Sequence, residues 1–213
     1  ITDIPLIEYV ASKGKPIILS TGIAQKSDIE LALSTIRNTG NNEIALLKCT
    51  SSYPAPIEEA NLKMIQDFED RFNVITGLSD HTLGIISPIV AVSLGAKLIE
   101  KHLILDKKIG GPDAFFSLDE KEFKEMVIHV RNAEKAIGVI NYKLTEKQKK
   151  GRNFCRSLYV TKDVNKGDKV SYDNVKSIRP GFGMHPKRLP EIIGKIFIKD
   201  FEFGTALKEI HIE

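Results

Sequence analysis

The sequence predicts an α/β fold: a parallel sheet with crossover helices, followed by a small β-rich module. Three observations carry that reading. Four strand–helix units follow one another within residues 16–138. Their strands are continuous apolar runs, as expected of a sheet covered on both faces. After residue 150 the pattern changes to short strands broken by Gly- and Pro-containing turns.

Residues 3–13 predict a helix, with Asp3 as its cap, Pro5 in its first turn, Leu6, Ile7 and Val10 on one face, and Gly14 at its end. Residues 16–22 are a buried strand running into a turn. Ser27-Asp28-Ile29-Glu30 reads as a capping box opening a helix to residue 38. Residues 43–50 form the next strand, followed by the loop Ser51-Ser52-Tyr53-Pro54-Ala55-Pro56 and a helix over 57–71. Strand 74–79 precedes an apolar helix over 84–94 that Gly95 closes. Strand 98–104 leads into Ile109-Gly110-Gly111-Pro112-Asp113. Ser117 and Glu120 then suggest a second capping box, for a helix reaching Ile137.

Polar residues close every strand: Ser20-Thr21, Thr50-Ser51, Ser79-Asp80-His81 and His102. The C-terminal rim of a parallel sheet is where ligands bind. A doubly wound sheet concentrates its site at one switch point, so polar ends on all four strands favour half of an eight-stranded barrel. The focal stretch is Gly77-Leu78-Ser79-Asp80-His81-Thr82. His81 and His102, on neighbouring strands, are candidates to share one divalent metal ion. Spacing alone leaves open a pair of hydrogen-bonded histidines with no metal.

The chain has 213 residues, 42% hydrophobic and 28% charged, an ordinary globular composition. No apolar run approaches the roughly 20 residues of a membrane span, and no secretory signal precedes the first helix pattern. Cys49 and Cys155 lie far apart and nothing demands that they pair, which makes a reducing cytoplasm the default. The net charge of +3 argues against a nucleic-acid partner. Residues 151–213 nevertheless carry 12 Lys/Arg against 8 Asp/Glu, whereas residues 1–150 carry 19 against 20. A basic module beside a near-neutral one suits an anionic small ligand as well as it suits RNA. Residues 139–150 read as a polar, lysine-rich linker between a domain over 1–138 and a module over 151–213. That module's strand candidates are 157–160, 169–170, 175–178 and 206–210, with one helical turn near 189–194. The chain opens on Ile1 with a helix and no strand before it, which suggests the C-terminal piece of a longer protein.

Five motifs in order resemble the sialic acid synthase family: Ile18-Leu19-Ser20-Thr21-Gly22, Cys49-Thr50-Ser51-Ser52-Tyr53-Pro54, Gly77-Leu78-Ser79-Asp80-His81-Thr82, Glu100-Lys101-His102 and Gly111-Pro112-Asp113. Arg179-Pro180-Gly181 in the tail resembles that family's antifreeze-like SAF domain, a β-clip. The resemblance implies the C-terminal part of a (β/α)8 TIM barrel followed by the SAF domain. It implies condensation of phosphoenolpyruvate with an open-chain N-acetylated amino sugar, with release of phosphate. It further implies a divalent metal, manganese first with magnesium or cobalt as alternatives, and a homodimer in which the SAF domain of one subunit covers the barrel of the other. Within the family, the stretches 51–56 and 111–118 are similar to pseudaminic acid synthases, whose sugar would be a diacetamido-trideoxyaltrose. Sialic acid synthases usually carry Asn where Ser51 stands, and sialic or legionaminic acid synthesis is the alternative. The family's two phosphoenolpyruvate-binding lysines and a substrate-facing glutamate would lie ahead of Ile1, so this chain alone is expected to be inactive.

By the same resemblance His81 and His102 are metal ligands and Asp113 lies near metal and sugar. Ser20, Ser51 and Ser79 would donate to phosphate or carboxylate, Tyr53 would contact the sugar, and Arg179 would reach a substrate held by the other subunit. Each has a plainer reading: helix caps for the serines, a turn aspartate, a loop tyrosine, a surface arginine. Cys49 reads as a packed strand cysteine. A metal-dependent aldolase or isomerase, and a non-enzymatic carbohydrate-binding piece, are the competing functions.

Overall fold

A computed structural model describes all of residues 1–213, which divide into two units, Ile1–Val139 and Ile140–Glu213. The first unit runs α1 (Ile4–Ala11), β1 (Ile17–Ser20), α2 (Lys26–Asn38), β2 (Ile44–Cys49), α3 (Met64–Phe72), β3 (Ile75–Asp80), α4 (Ile86–Ser93), β4 (Leu98–Lys101) and α5 (Glu120–Ile137). The strands form one parallel sheet in chain order, β1-β2-β3-β4. The sheet is open, so β1 and β4 each pair on one side only and no barrel closes within this chain.

Side chains alternate across a strand, and packing partners separate the two faces. Ile17, Leu19, Ile44 and Leu46 pack on α1–α3 with Ile29, Ala32, Leu33, Ile36, Phe68 and Phe72. In α2 those residues recur at the three- and four-residue spacing of one helical face. Leu78 and Ile99 continue the helix side against Ile65 and Ala91. The opposite face carries Ile18, Ser20, Leu47, Gly77, Leu98, Ser79 and Glu100. There Ile18 and Ile75 stand 60% and 56% exposed, an apolar face without a cover in this chain. The register stacks this face in layers: Ser20 beside Leu47, Leu47 beside Gly77, Gly77 beside Leu98, then Cys49, Ser79 and Glu100.

Several elements differ from the sequence expectation. The capping box of α2 uses Gln25 and Asp28, and that of α5 uses Asp119 and Glu122. The expected helix over 57–71 is a short 3-10 turn, Ile57–Glu59, and then α3, separated at Asn61 with φ 46°. The strand expected over 98–104 ends at Lys101. His102 lies beyond it, and Leu103 makes only an isolated bridge to Leu118. Part of the expected linker is a helix, α6 (Glu146–Gly151), opened by a Thr145–Gln148 capping box. Its lysine-rich composition masked that box.

The second unit continues with β5 (Ser157–Val160), β6 (Val175–Ile178) and α7 (Leu189–Ile192). β5 and β6 pair antiparallel, and isolated bridges such as Tyr159–Ala206 and Val164–Phe201 extend the network. Its core gathers Leu158, Val160, Val170, Val175, Ile192, Phe197 and Leu207. Residues 206–210, expected as a strand, supply one bridge and then a 3-10 turn, Glu209–His211.

Gly77 is the tightest point of the first unit. A Cβ there would lie 2.5 Å from the Leu98 carbonyl oxygen, 2.6 Å from Leu47 Cδ2 and 2.9 Å from Leu98 Cβ. Two of those atoms belong to β4, one of them backbone, so β3 and β4 would have to separate. Gly77→Ala is expected to destabilise the fold by about 1–3 kcal/mol, read as a lower midpoint in chemical denaturation; an unchanged midpoint would contradict the packing.

Candidate functional site

The site grows from the rim where β2, β3 and β4 end. His81 follows β3 and is 7% exposed. Its backbone carbonyl accepts from Ala55 N at 2.9 Å, and a parallel bridge joins Ala55 to Thr82, so the loop after β2 is stitched beside it. His81 Nδ1 lies 2.9 Å from the Thr50 carbonyl oxygen. A carbonyl only accepts, so Nδ1 carries the proton, and in the neutral ring Nε2 keeps a free lone pair. The buried Cys49 thiol sits 3.9 Å from the same Nδ1, as a packed strand cysteine.

His102 stands next to it, ring centroid 5.2 Å from that of His81 and at 75° to it. Its Nδ1 is 3.7 Å from Asp113 Oδ2, close enough for charge attraction and too long for a direct hydrogen bond. Phe116, buried, places its ring edge-on to His102 at 4.9 Å. The Tyr53 ring lies 4.3 Å from His81 and 6.2 Å from His102. Tyr53, His81, His102, Phe116 and Asp113 therefore form one cluster.

One layer below, Ser79 Oγ donates to Glu100 Oε1 at 2.7 Å. Ser20 ends β1 on the same face. Ser51 Oγ lies 2.6 Å from where a Cβ on Gly22 would sit; Gly22, at φ +44°, lets the loops after β1 and β2 meet. Between them buried Thr21 donates to the Leu47 carbonyl at 3.0 Å and accepts from Cys49 N at 3.1 Å. On the helix side, Lys48 Nζ donates to the Cys49 carbonyl at 2.7 Å and to Thr50 Oγ1 at 3.0 Å. Burial pushes the Lys48 ammonium below the usual lysine range, with Cys49 acting in the opposite sense.

The donor chemistry fits a divalent ion. Two adjacent imidazoles offer nitrogen ligands, one with its tautomer already fixed by a carbonyl, which is how proteins orient metal-binding histidines. No three His, Cys, Asp or Glu side chains converge into a complete ligand set, so these residues would offer an ion two positions, with Asp113 alongside.

Arg179 belongs to the second unit, exposed on the loop after β6. That loop is pinned from below by buried Ser157, whose Oγ donates to the Pro180 carbonyl at 2.7 Å and accepts from Gly183 N at 2.8 Å. Gly181 N donates to the Asn153 carbonyl at 2.9 Å. The remaining histidines have local explanations. His129 faces Glu125 at 3.6 Å, His185 accepts from Lys187 N, and His211 packs 4.5 Å from Phe201, where burial lowers its pKa.

Glu100, Phe116 and the Thr50 carbonyl were missed in the sequence. Glu100 was legible, because it lies two residues before His102 on a strand and so shares its face. Phe116 and Thr50 act through loop geometry that no periodicity announces. The tautomer is directly measurable: in the neutral imidazole, nitrogen NMR should show His81 protonated on Nδ1. A dominant Nε2–H form would contradict the hydrogen bond to Thr50.

Comparison with known proteins identifies the family. The NeuB family profile matches residues 1–142 and the SAF domain profile residues 156–213. A pseudaminic acid synthase from Campylobacter jejuni subsp. jejuni serotype O:23/36 is 49% identical over 97% of this chain and 60% of its own length. One from Helicobacter pylori is 44% identical over 100% of this chain and 63% of its own. The crystal structure of an N-acetylneuraminic acid (sialic acid) synthetase from Leptospira borgpetersenii superposes with a TM-score of 0.65 at 34% identity, over 70% of this chain and 52% of that one. The chain thus spans about 60% of the length of the curated relatives it matches. With its parallel half-barrel sheet and its SAF domain, this chain belongs to the NeuB family.

Proposed function

We propose that the intact protein is a nonulosonic acid synthase, condensing phosphoenolpyruvate with an open-chain N-acetylated amino sugar and releasing phosphate. The observation that carries this reading is the pair of adjacent imidazoles at the rim, His81 and His102, with Tyr53 beside them and the Ser79–Glu100 pair below. Half of the chemistry is to make a sugar aldehyde electrophilic. A divalent ion, manganese foremost and magnesium or cobalt as alternatives, would when bound act as a Lewis acid on the aldehyde oxygen. His81 and His102 would hold it, and Asp113 beside His102 would orient a water or a sugar hydroxyl.

Ser20 and Ser51, at the ends of β1 and β2, would donate to the phosphate or carboxylate of phosphoenolpyruvate. Ser79 already donates to Glu100, so its oxygen is left to accept. Of the three serines it is the least suited to bind a phosphate. Tyr53, 56% exposed, offers a ring face and a hydroxyl to the sugar. The relatives' names favour pseudaminic acid as product, and a diacetamido-trideoxyaltrose would be its sugar precursor; the likeness to the Leptospira sialic acid enzyme and to a legionaminic acid synthase keeps sialic or legionaminic acid synthesis as the second reading. Phosphoenolpyruvate as co-substrate suits a cytoplasmic enzyme, and no helix here is long and apolar enough to cross a membrane.

Arg179 would act in a homodimer, its planar fork pairing with a carboxylate or phosphate held by the other subunit. Its place on a loop pinned by Ser157 supports a fixed rather than a wandering cation.

Release of inorganic phosphate from phosphoenolpyruvate, dependent on added amino sugar, is the expected activity of the intact protein. A metal-dependent aldolase or a carbohydrate-binding module would release none. His81→Ala and His102→Ala should each lower turnover by about 100-fold or more. Full activity in either, after chelation and metal add-back, contradicts the assignment. Mixing Arg179→Ala and His81→Ala subunits should recover up to half the activity of an exchanged dimer, since one of its two sites regains both residues. No recovery despite proven exchange would remove the trans role.

A further inference from the structure

We infer that Asp80 and Lys101 are positioning residues, a buried ion-pair clamp that sets the spacing of the His81 and His102 imidazoles from the opposite face of the sheet. The inference rests on those imidazoles being metal ligands.

Asp80 and Lys101 are register partners at the last step of the β3–β4 ladder. Each immediately precedes one of the histidines. Their side chains point to the helix side, both 1% exposed, with Lys101 Nζ 2.6 Å from Asp80 Oδ2. The same ammonium donates to the Thr82 carbonyl, and Asp80 Oδ1 accepts from Thr82 N at 2.9 Å. The residues on either side of His81 are thus held by one cation, and that cation sits on the residue before His102. Thr82 Oγ1 donates to Ser87 Oγ at 2.9 Å, which ties the turn to the first turn of α4.

This arrangement does more than the fold requires. Desolvating two charges is costly, and apolar residues of similar volume often hold a core as well or better. What an apolar pair cannot do is direct hydrogen bonds to both the N–H and the C=O of the residue after His81. The clamp therefore fixes the backbone of His81 on both sides and references it to His102. Its charges cancel, so it acts through geometry.

The test replaces both charges together, so that neither is left buried alone. In the intact protein, Asp80→Leu with Lys101→Met should still fold, with a thermal midpoint lowered by the two Thr82 backbone groups it leaves unpaired. Its affinity for Mn2+ alone, measured by calorimetric titration, should fall about 10- to 100-fold, the usual loss when outer supports of metal ligands are removed. The Co2+ absorption bands should also shift. A folded double variant that binds Mn2+ with parental affinity and gives parental Co2+ bands would overturn the clamp. Should the double variant not fold, Asp80→Asn with Lys101→Met serves: it keeps the acceptor for Thr82 N and leaves no charge buried alone, and unchanged Mn2+ affinity there is equally fatal. His81→Ala separates the two ideas. Loss of Mn2+ binding in His81→Ala but not in the clamp variants sinks the clamp alone, whereas parental Mn2+ binding by His81→Ala sinks the metal reading beneath it.

Discussion

The parallel register between β3 and β4 is the constraint on which the rim depends. It pairs Gly77 with Leu98, Ser79 with Glu100 and Asp80 with Lys101. Just past the ends of both strands His81 stands beside His102, ring centroids 5.2 Å apart. Alternation then divides the labour between faces. Ser79, Glu100 and the imidazoles face the open side, while Asp80, Lys101 and Thr82 face the helices. The absence of a side chain at Gly77 lets β2, β3 and β4 close to this spacing. Two residues separated by twenty-one positions in sequence become neighbours because a crossover helix returns the chain to the adjacent strand.

Around that pair, loops supply what strands cannot. The loop after β2 brings Thr50 to fix the His81 tautomer and Tyr53 to cover both rings. The loop after β4 brings Asp113 and Phe116 to His102. Rigid strands set the distance between the imidazoles, and loops tune their chemistry, the usual arrangement at the C-terminal rim of a parallel sheet. The SAF unit uses a similar economy. Ser157, buried on β5, holds the loop that presents Arg179.

Much of this was legible in the sequence because its signals are local. Continuous apolar runs marked the four strands, and the histidines at their ends marked the rim. Where expectation and structure part, a local signal met a competing one. Ser27 and Ser117 looked like caps, but Gln25 and Asp119 take that place because the helices begin at Lys26 and Glu120. Asn61, in a left-handed conformation, splits a stretch whose pattern read as one helix. Lysine-rich composition hid α6 behind a linker reading. Glu100 and the Asp80–Lys101 pair needed only the strand period applied outward from His102. The partners of Thr50 and Phe116 needed the fold itself.

The central claim is that His81 and His102 together ligate one divalent ion. Electron spin echo modulation of the Mn2+-loaded intact protein counts coordinated imidazole nitrogens directly. Two are expected in the parent protein, and one in each of His81→Ala and His102→Ala when loaded at high Mn2+. Bound Mn2+ with no imidazole modulation in the parent would contradict the account.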